Sequence, residues 1–204
     1  MHKKPHSPWG KVDGHCPFGD LGLHHHSTPG HGGIYVPDEM LARMPAPYRD
    51  GNWYEEDCEW AKVALSFPSG LTAKQLECAR NTAINWFPHE FMQVTGETLR
   101  NEQSHVLMRE HLRDYCKDKH VVVSATCGTP FNGYAPVPKG WVGCFAVLGG
   151  RDDRGGYDDS TARYLLISEA EYATRTSFGF IIEKDYPAWP LAGEQIEPTR
   201  ALTA

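Results

Sequence analysis

The sequence predicts an α+β fold, an antiparallel sheet of about four to six strands packed against three to four helices. Three observations predict it. Helical periodicity is concentrated in residues 54–117. After residue 120 the apolar residues become β-branched or alternate, as in strands. Strands and helices do not alternate as β-α-β units, so a parallel sheet is not expected.

The elements follow in order. Residues 1–21 are rich in Pro, Gly and His and read as an N-terminal arm. Leu23–Ser27 and Gly33–Val36 are short strands around a Gly-rich turn, and Pro37-Asp38 opens a short helix that ends before Pro45. Asp50-Gly51-Asn52 is a turn signal. Tyr54, Cys58, Ala61 and Leu65 share one helical stripe, which predicts a helix over 54–67 stopped by Pro68-Ser69-Gly70. Thr72 caps a helix to about Phe87, with Leu76, Ala79, Ala83 and Trp86 facing inward. Pro88 opens a short helix that Gly96 closes. Ser104 caps another, buried through Leu107, His111 or Leu112, and Tyr115. Val121–Val123, Trp141–Leu148, Tyr164–Ile167 and Phe178–Ile182 are strands, and Ser168 with Glu171 forms a capping box. Residues 22–185 read as one domain and 186–204, with three prolines, as a C-terminal tail.

Composition narrows the function. The 204 residues are 40% hydrophobic and 23% charged, a globular balance. No apolar run approaches the ~20 residues that span a bilayer, so no membrane partner is expected. The net charge of −6 argues against a binder that neutralises nucleic-acid phosphates, so direct nucleic-acid binding is not expected. Six cysteines without any C-x-x-C spacing, behind no secretory leader, read as reduced thiols of a cytoplasmic protein, chiefly small buried hydrophobes.

Two strings resemble a known family: Ser27-Thr-Pro-Gly-His-Gly-Gly-Ile and Trp53-Tyr-Glu-Glu-Asp-Cys-Glu-Trp-Ala. Ser7-Pro-Trp-Gly, Val137-Pro-Lys-Gly, Leu148-Gly-Gly-Arg and Phe178-Gly-Phe-Ile-Ile extend the likeness over residues 7–183. The chain resembles an uncharacterised domain of unknown function found in bacteria, plasmids and phages. The resemblance implies a mobile-element setting and carries no catalytic residue with it.

The same strings hold the candidate chemistry. In Ser27–Gly33, three glycines flank His31, where free backbone N–H groups could form an anion nest, or simply a tight turn between strands. The pattern lacks the Lys-Ser/Thr of a phosphate loop. Glu55, Glu56, Asp57 and Glu59 could serve the helix dipole, or Glu55 or Glu56 could face His31 as a carboxylate–imidazole pair. That pair could act as acid and base or hold a metal. On a helix Asp57 would lie on the far side. On a strand, His24 and His26 share one face and His25 the other. Two imidazoles two residues apart could chelate an ion, but the collection His15, His24, His25, His26 and His31 matches no standard site and also reads as solvated histidines of a turn-rich arm, so no metal ligand is assigned and no cofactor is named. Trp53, Tyr54, Tyr134 and Trp141 lie in or beside loops, where amphipathic rings either anchor protein interfaces or cap the core edge.

Two functions follow. In the first, the chain is a phage or mobile-element accessory protein of a bacterial cytoplasm. It binds and inhibits a host defence complex of the CRISPR or restriction kind through Ser27, Gly32, Gly33, Trp53, Tyr54, Asp57, Tyr134 and Trp141. Its partner is a host protein or ribonucleoprotein, and a homo-oligomer is compatible with this. In the second, it is a small hydrolase or metal-assisted phosphoesterase using His31 with Glu55 or Glu56.

Overall fold

The computed structural model describes residues 7–128, 133–176 and 178–194. Expectations for the start of the arm, the middle of loop 127–140 and the end of the tail lie outside these residues. Among the described residues are seven strands in two antiparallel sheets and six α-helices, an α+β fold. The chain divides into two compact units, Met1–Met108 and Arg109–Ala204, each described by itself.

The first unit is built on a four-stranded sheet, β1 (Gly14–Phe18), β2 (Leu23–Ser27), β3 (Gly32–Tyr35) and β4 (Trp53–Glu55), in that spatial order. Residues 14–18, placed in the arm by their composition, are its first strand. Cross-strand register puts Cys16, His25, Ile34 and Tyr54 in one row, and His15, His26, Gly33 and Glu55 in the next. Successive rows point to opposite faces. Ile34 and Tyr54 mark the inner face. They are buried with Leu23, Val36, Met40, Met44, Tyr48, Val63 and Phe67 in the main core of this unit. Burying a side chain such as Ile34 contributes about 1.5–3 kcal/mol.

Tyr54 explains one departure from expectation. The stripe that predicts a helix over 54–67 begins at Tyr54, yet Tyr54 pairs with Ile34 across the sheet. A turn follows, and α2 begins only at Trp60 (Trp60–Ser66). The Tyr54 hydroxyl donates to the Tyr48 carbonyl (3.0 Å) and accepts from the Asp50 amide (3.1 Å). Tertiary pairing and the two hydrogen bonds of the Tyr54 hydroxyl outweigh local periodicity here. Tyr54→Phe, which strands both partners, is expected to cost about 1–3 kcal/mol in urea unfolding.

The remaining helices of this unit follow their local signals. α1 (Asp38–Leu41) begins after Pro37. α3 (Ala73–Trp86) opens on a Thr72/Gln75 capping box, and α4 (Pro88–Thr95) has Pro88 at its first position. Gly96, at φ 73°, closes α4 in the left-handed conformation that favours glycine. Ala79 and Ala83 of α3 are buried with Ala61, Ala64 and Phe91. Trp86, expected inside, is instead 48% exposed. α5 (His105–Cys116) runs from the first unit into the second after Met108; its Leu107 and Cys116 are buried, whereas Tyr115 and His111 are exposed.

The second unit carries β5 (His120–Thr126), β6 (Trp141–Leu148) and β7 (Arg163–Ser168), with β6 central. The Ser168 hydroxyl caps α6 (Glu169–Tyr172) by accepting from the Glu171 amide. Residues 187–191, placed in the tail by sequence, run beside this sheet. The Leu166 amide donates to the Pro187 carbonyl, and the Trp189 amide to that of Tyr164. Trp189 is buried against Gly143, where a Cβ would stand 2.5 Å from the indole. The expected strand Phe178–Ile182 is a correction. It meets β5 through single bonds, Val122 to Phe180 and Ile182 to His120, because Gly179 at φ 120° breaks the extended run. The cysteines also divide differently from expectation. Cys116 and Cys144 are buried, and burial pushes the Cys144 thiol up to about 12, but Cys16, Cys78 and Cys127 are exposed.

Candidate functional site

The Gly-rich string forms the β2–β3 hairpin. The Thr28 amide donates to the His31 carbonyl (2.8 Å), and the Thr28 hydroxyl receives the His31 amide (3.2 Å). Gly30, Gly32 and Gly33 do not occupy the left-handed region, so the expected anion nest is not formed by left-handed glycines. Close approach explains two of them. A Cβ on Gly33 would stand 2.5 Å from the Trp9 ring on the outer face and 2.4 Å from the Tyr54 carbonyl. A Cβ on Gly32 would meet Glu56 Oε2 and the His25 ring. The neighbours that glycine admits are the protein's own side chains and backbone carbonyls.

His31 leaves this hairpin beside the turn that joins β4 to α2. Its Nδ1 lies 3.4 Å from Glu55 Oε1, with the His31 side chain 51% exposed and that of Glu55 21%. Glu55 is fixed by its other oxygen. Oε2 accepts from the Asp57 amide (2.8 Å) and the Cys58 amide (3.2 Å). The Glu55 amide in turn donates to Glu59 Oε2 (3.0 Å). Oε1 is buried, accepts no hydrogen bond and is turned to the imidazole. Asp57 completes the group, because one ligand atom each from His31, Glu55 and Asp57 lie within 4.8 Å of one another. The field is negative: burial first, then the carboxylates of Glu55, Asp57 and Glu59, push the Cys58 thiol above its ordinary value.

Of the paired carboxylates anticipated for His31, the structure selects Glu55. Glu56 points to the inner face and pairs with His25 at 2.9 Å. Asp57, expected on the far side of a helix, joins the group because the segment is a turn. Ser27 sits on the inner-face row and donates to Asp13 (3.0 Å). Tyr54 is core. Tyr134 and Trp141 belong to the second unit, where Tyr134 stacks on Tyr164 at 4.2 Å. Trp53 remains beside the group on the outer face. Trp9 is the participant that sequence reasoning missed. It lies 6.5 Å from the His31 ring and 5.7 Å from Trp53. The Ser7-Pro-Trp-Gly string was the only signal for it.

These features define the first unit as a small α+β module with an imidazole–dicarboxylate group at one end of a sheet, beside the Trp9 indole. The chain belongs to the DUF7007 family, a domain of unknown function, whose model matches residues 2–115 and so includes every residue of this group. No curated protein and no solved structure matches the chain.

Proposed function

We propose that the first unit binds a divalent cation on His31, Glu55 and Asp57 and uses it to hydrolyse a phosphoester. One observation carries the reading. A divalent ion with bonds of about 2.1 Å holds neighbouring ligands roughly 3.0–3.4 Å apart, from octahedral to tetrahedral geometry, and His31 Nδ1 stands 3.4 Å from Glu55 Oε1, with Asp57 adjacent. Glu55 is already oriented by two backbone amides, so little ordering remains on binding. Three protein ligands leave positions for water and substrate, the pattern of catalytic rather than structural ions. The bound ion would polarise a phosphoryl oxygen and acidify a water.

The test uses the full chain without an affinity tag, with Mn²⁺, on a phosphodiester and a phosphomonoester reporter. Turnover that EDTA removes and that His31→Ala lowers by about 100-fold is expected. Absence of turnover with any divalent ion, or turnover indifferent to His31, would remove the proposal.

A second reading has its own support. Trp9, Trp53 and Tyr35 form a contiguous half-buried aromatic group on the same face, with Trp53 5.7 Å from Trp9 and 5.2 Å from Tyr35. Such rings anchor protein interfaces. On this reading the chain docks onto a host defence complex of the CRISPR or restriction kind in a bacterial cytoplasm and blocks it. No helix among the described residues is long and apolar enough to cross a membrane. Trp53→Ala would abolish the blocking effect and His31→Ala would spare it, the reverse of the hydrolase pattern.

A further inference from the structure

The outer face of the first sheet carries a second cluster, separate from the His31 group. His15 of β1 is directly opposite His26 of β2, and His24 precedes His26 by two residues on the same face. Pairing and the two-residue period therefore gather three imidazoles on one face by backbone geometry alone. Their ring centroids are 5.6 Å (His15–His24), 6.3 Å (His15–His26) and 6.4 Å (His24–His26) apart.

We propose that His15, His24 and His26 form a binding site for a late first-row divalent ion, with zinc as the type case. Three imidazoles on one such ion, each bonded at about 2.1 Å, hold their centroids roughly 5.3–5.6 Å apart. The observed triangle is within about 1 Å of that, a gap closed by small side-chain rotations of His15, exposed on the edge strand, and of the half-buried His24 and His26. Two further observations point to a ligand. His24 Nδ1 is buried and accepts or donates no hydrogen bond. The indole of Trp53 packs edge-on against His26 at 5.5 Å and shields one flank. Imidazole ligands favour zinc, nickel or copper over magnesium or calcium. Three ligands leave a fourth position open.

The site is distinct from the His31 group. His26 and Glu55 are each paired with Gly33, on opposite sides of β3. Two strand spacings place their backbones about 9.6 Å apart, and the two clusters share no residue.

The experiment is a zinc titration of the full, untagged, chelator-treated chain by calorimetry, with cobalt absorption in the visible as a report on coordination. The cluster predicts one zinc equivalent that survives Glu55→Gln, and that His15→Ala and His24→Ala each weaken by about 100-fold or more. His25→Ala, on the opposite face, leaves this affinity unchanged. His15→Ala decides if the His24 variant fails to fold, because His15 lies exposed on the sheet edge. Absence of zinc uptake below millimolar concentration, or uptake unchanged by His15→Ala, overturns the proposal. Zinc lost with Glu55→Gln but kept in His15→Ala overturns it too, and assigns the ion to the other group.

Discussion

Glu55→Gln is expected to lower the affinity of the first unit for Mn²⁺ by about 100-fold and to remove EDTA-sensitive hydrolysis while the chain stays folded. The separation of effects follows from the two oxygens. Oε2 holds the β4–α2 turn through the amides of Asp57 and Cys58. A Gln carbonyl can still accept those bonds. Oε1 faces His31 and makes no hydrogen bond, so its role is charge and coordination. An amide is a far poorer ligand than a carboxylate for a hard cation. Calorimetry with Mn²⁺ and the thermal midpoint, measured on the same sample, check both halves. Equal affinity in the variant, or a large fall in midpoint, would mean that Glu55 is only a structural capping group.

Gly33→Ala is expected to destabilise the first unit by about 3 kcal/mol, near the upper end for overpacking. The added methyl meets the Tyr54 carbonyl of β4 on one side and the Trp9 ring on the other. The carbonyl belongs to a paired strand and cannot move without disturbing the pairing of Gly33 with Glu55 and of Ile34 with Tyr54. The indole can leave only by uncovering β3. Urea unfolding reads the loss, and a red shift of tryptophan emission reads the expulsion of Trp9. Gly30→Ala is the control. A Cβ there meets nothing within 4 Å, and a change within about 0.5 kcal/mol is expected. Equal effects at the two glycines would show that the string is merely a permissive turn.

What was legible in the sequence was local. Thr72, Pro88 and Gly96 act through chemistry confined to one helical turn, and each bounds a helix as expected. The strands Leu23–Ser27 and Trp141–Leu148 have the expected bounds, because their patterning is not contested by neighbours. The placement of His24 and His26 on one face follows from the period of a strand. What was illegible depends on contacts distant in sequence. Tyr54 fits a helical stripe and is nevertheless claimed by Ile34, and with it Glu55 moves from a helix to a strand end. Asp57 then turns toward His31 rather than away. Trp9 reaches Gly33 across the sheet with no periodicity to announce it. Phe178–Ile182 has strand composition, but its one glycine takes a conformation that a regular strand does not contain. The pairing of Glu56 with His25 and of Glu55 with His31 rests on the β3–β4 register, which no local pattern specifies.

The most direct test of the central claim is paramagnetic broadening by Mn²⁺ in the ¹H–¹⁵N spectrum of the full chain. Manganese favours carboxylate oxygen over clustered imidazoles, so it reports on the dicarboxylate group. Saturable loss of the His31, Glu55, Asp57 and Cys58 amides and the Trp9 indole, at about one equivalent and before other signals, is the predicted result. Intact signals at those positions while others broaden, or a weak uniform loss that never saturates, would contradict it.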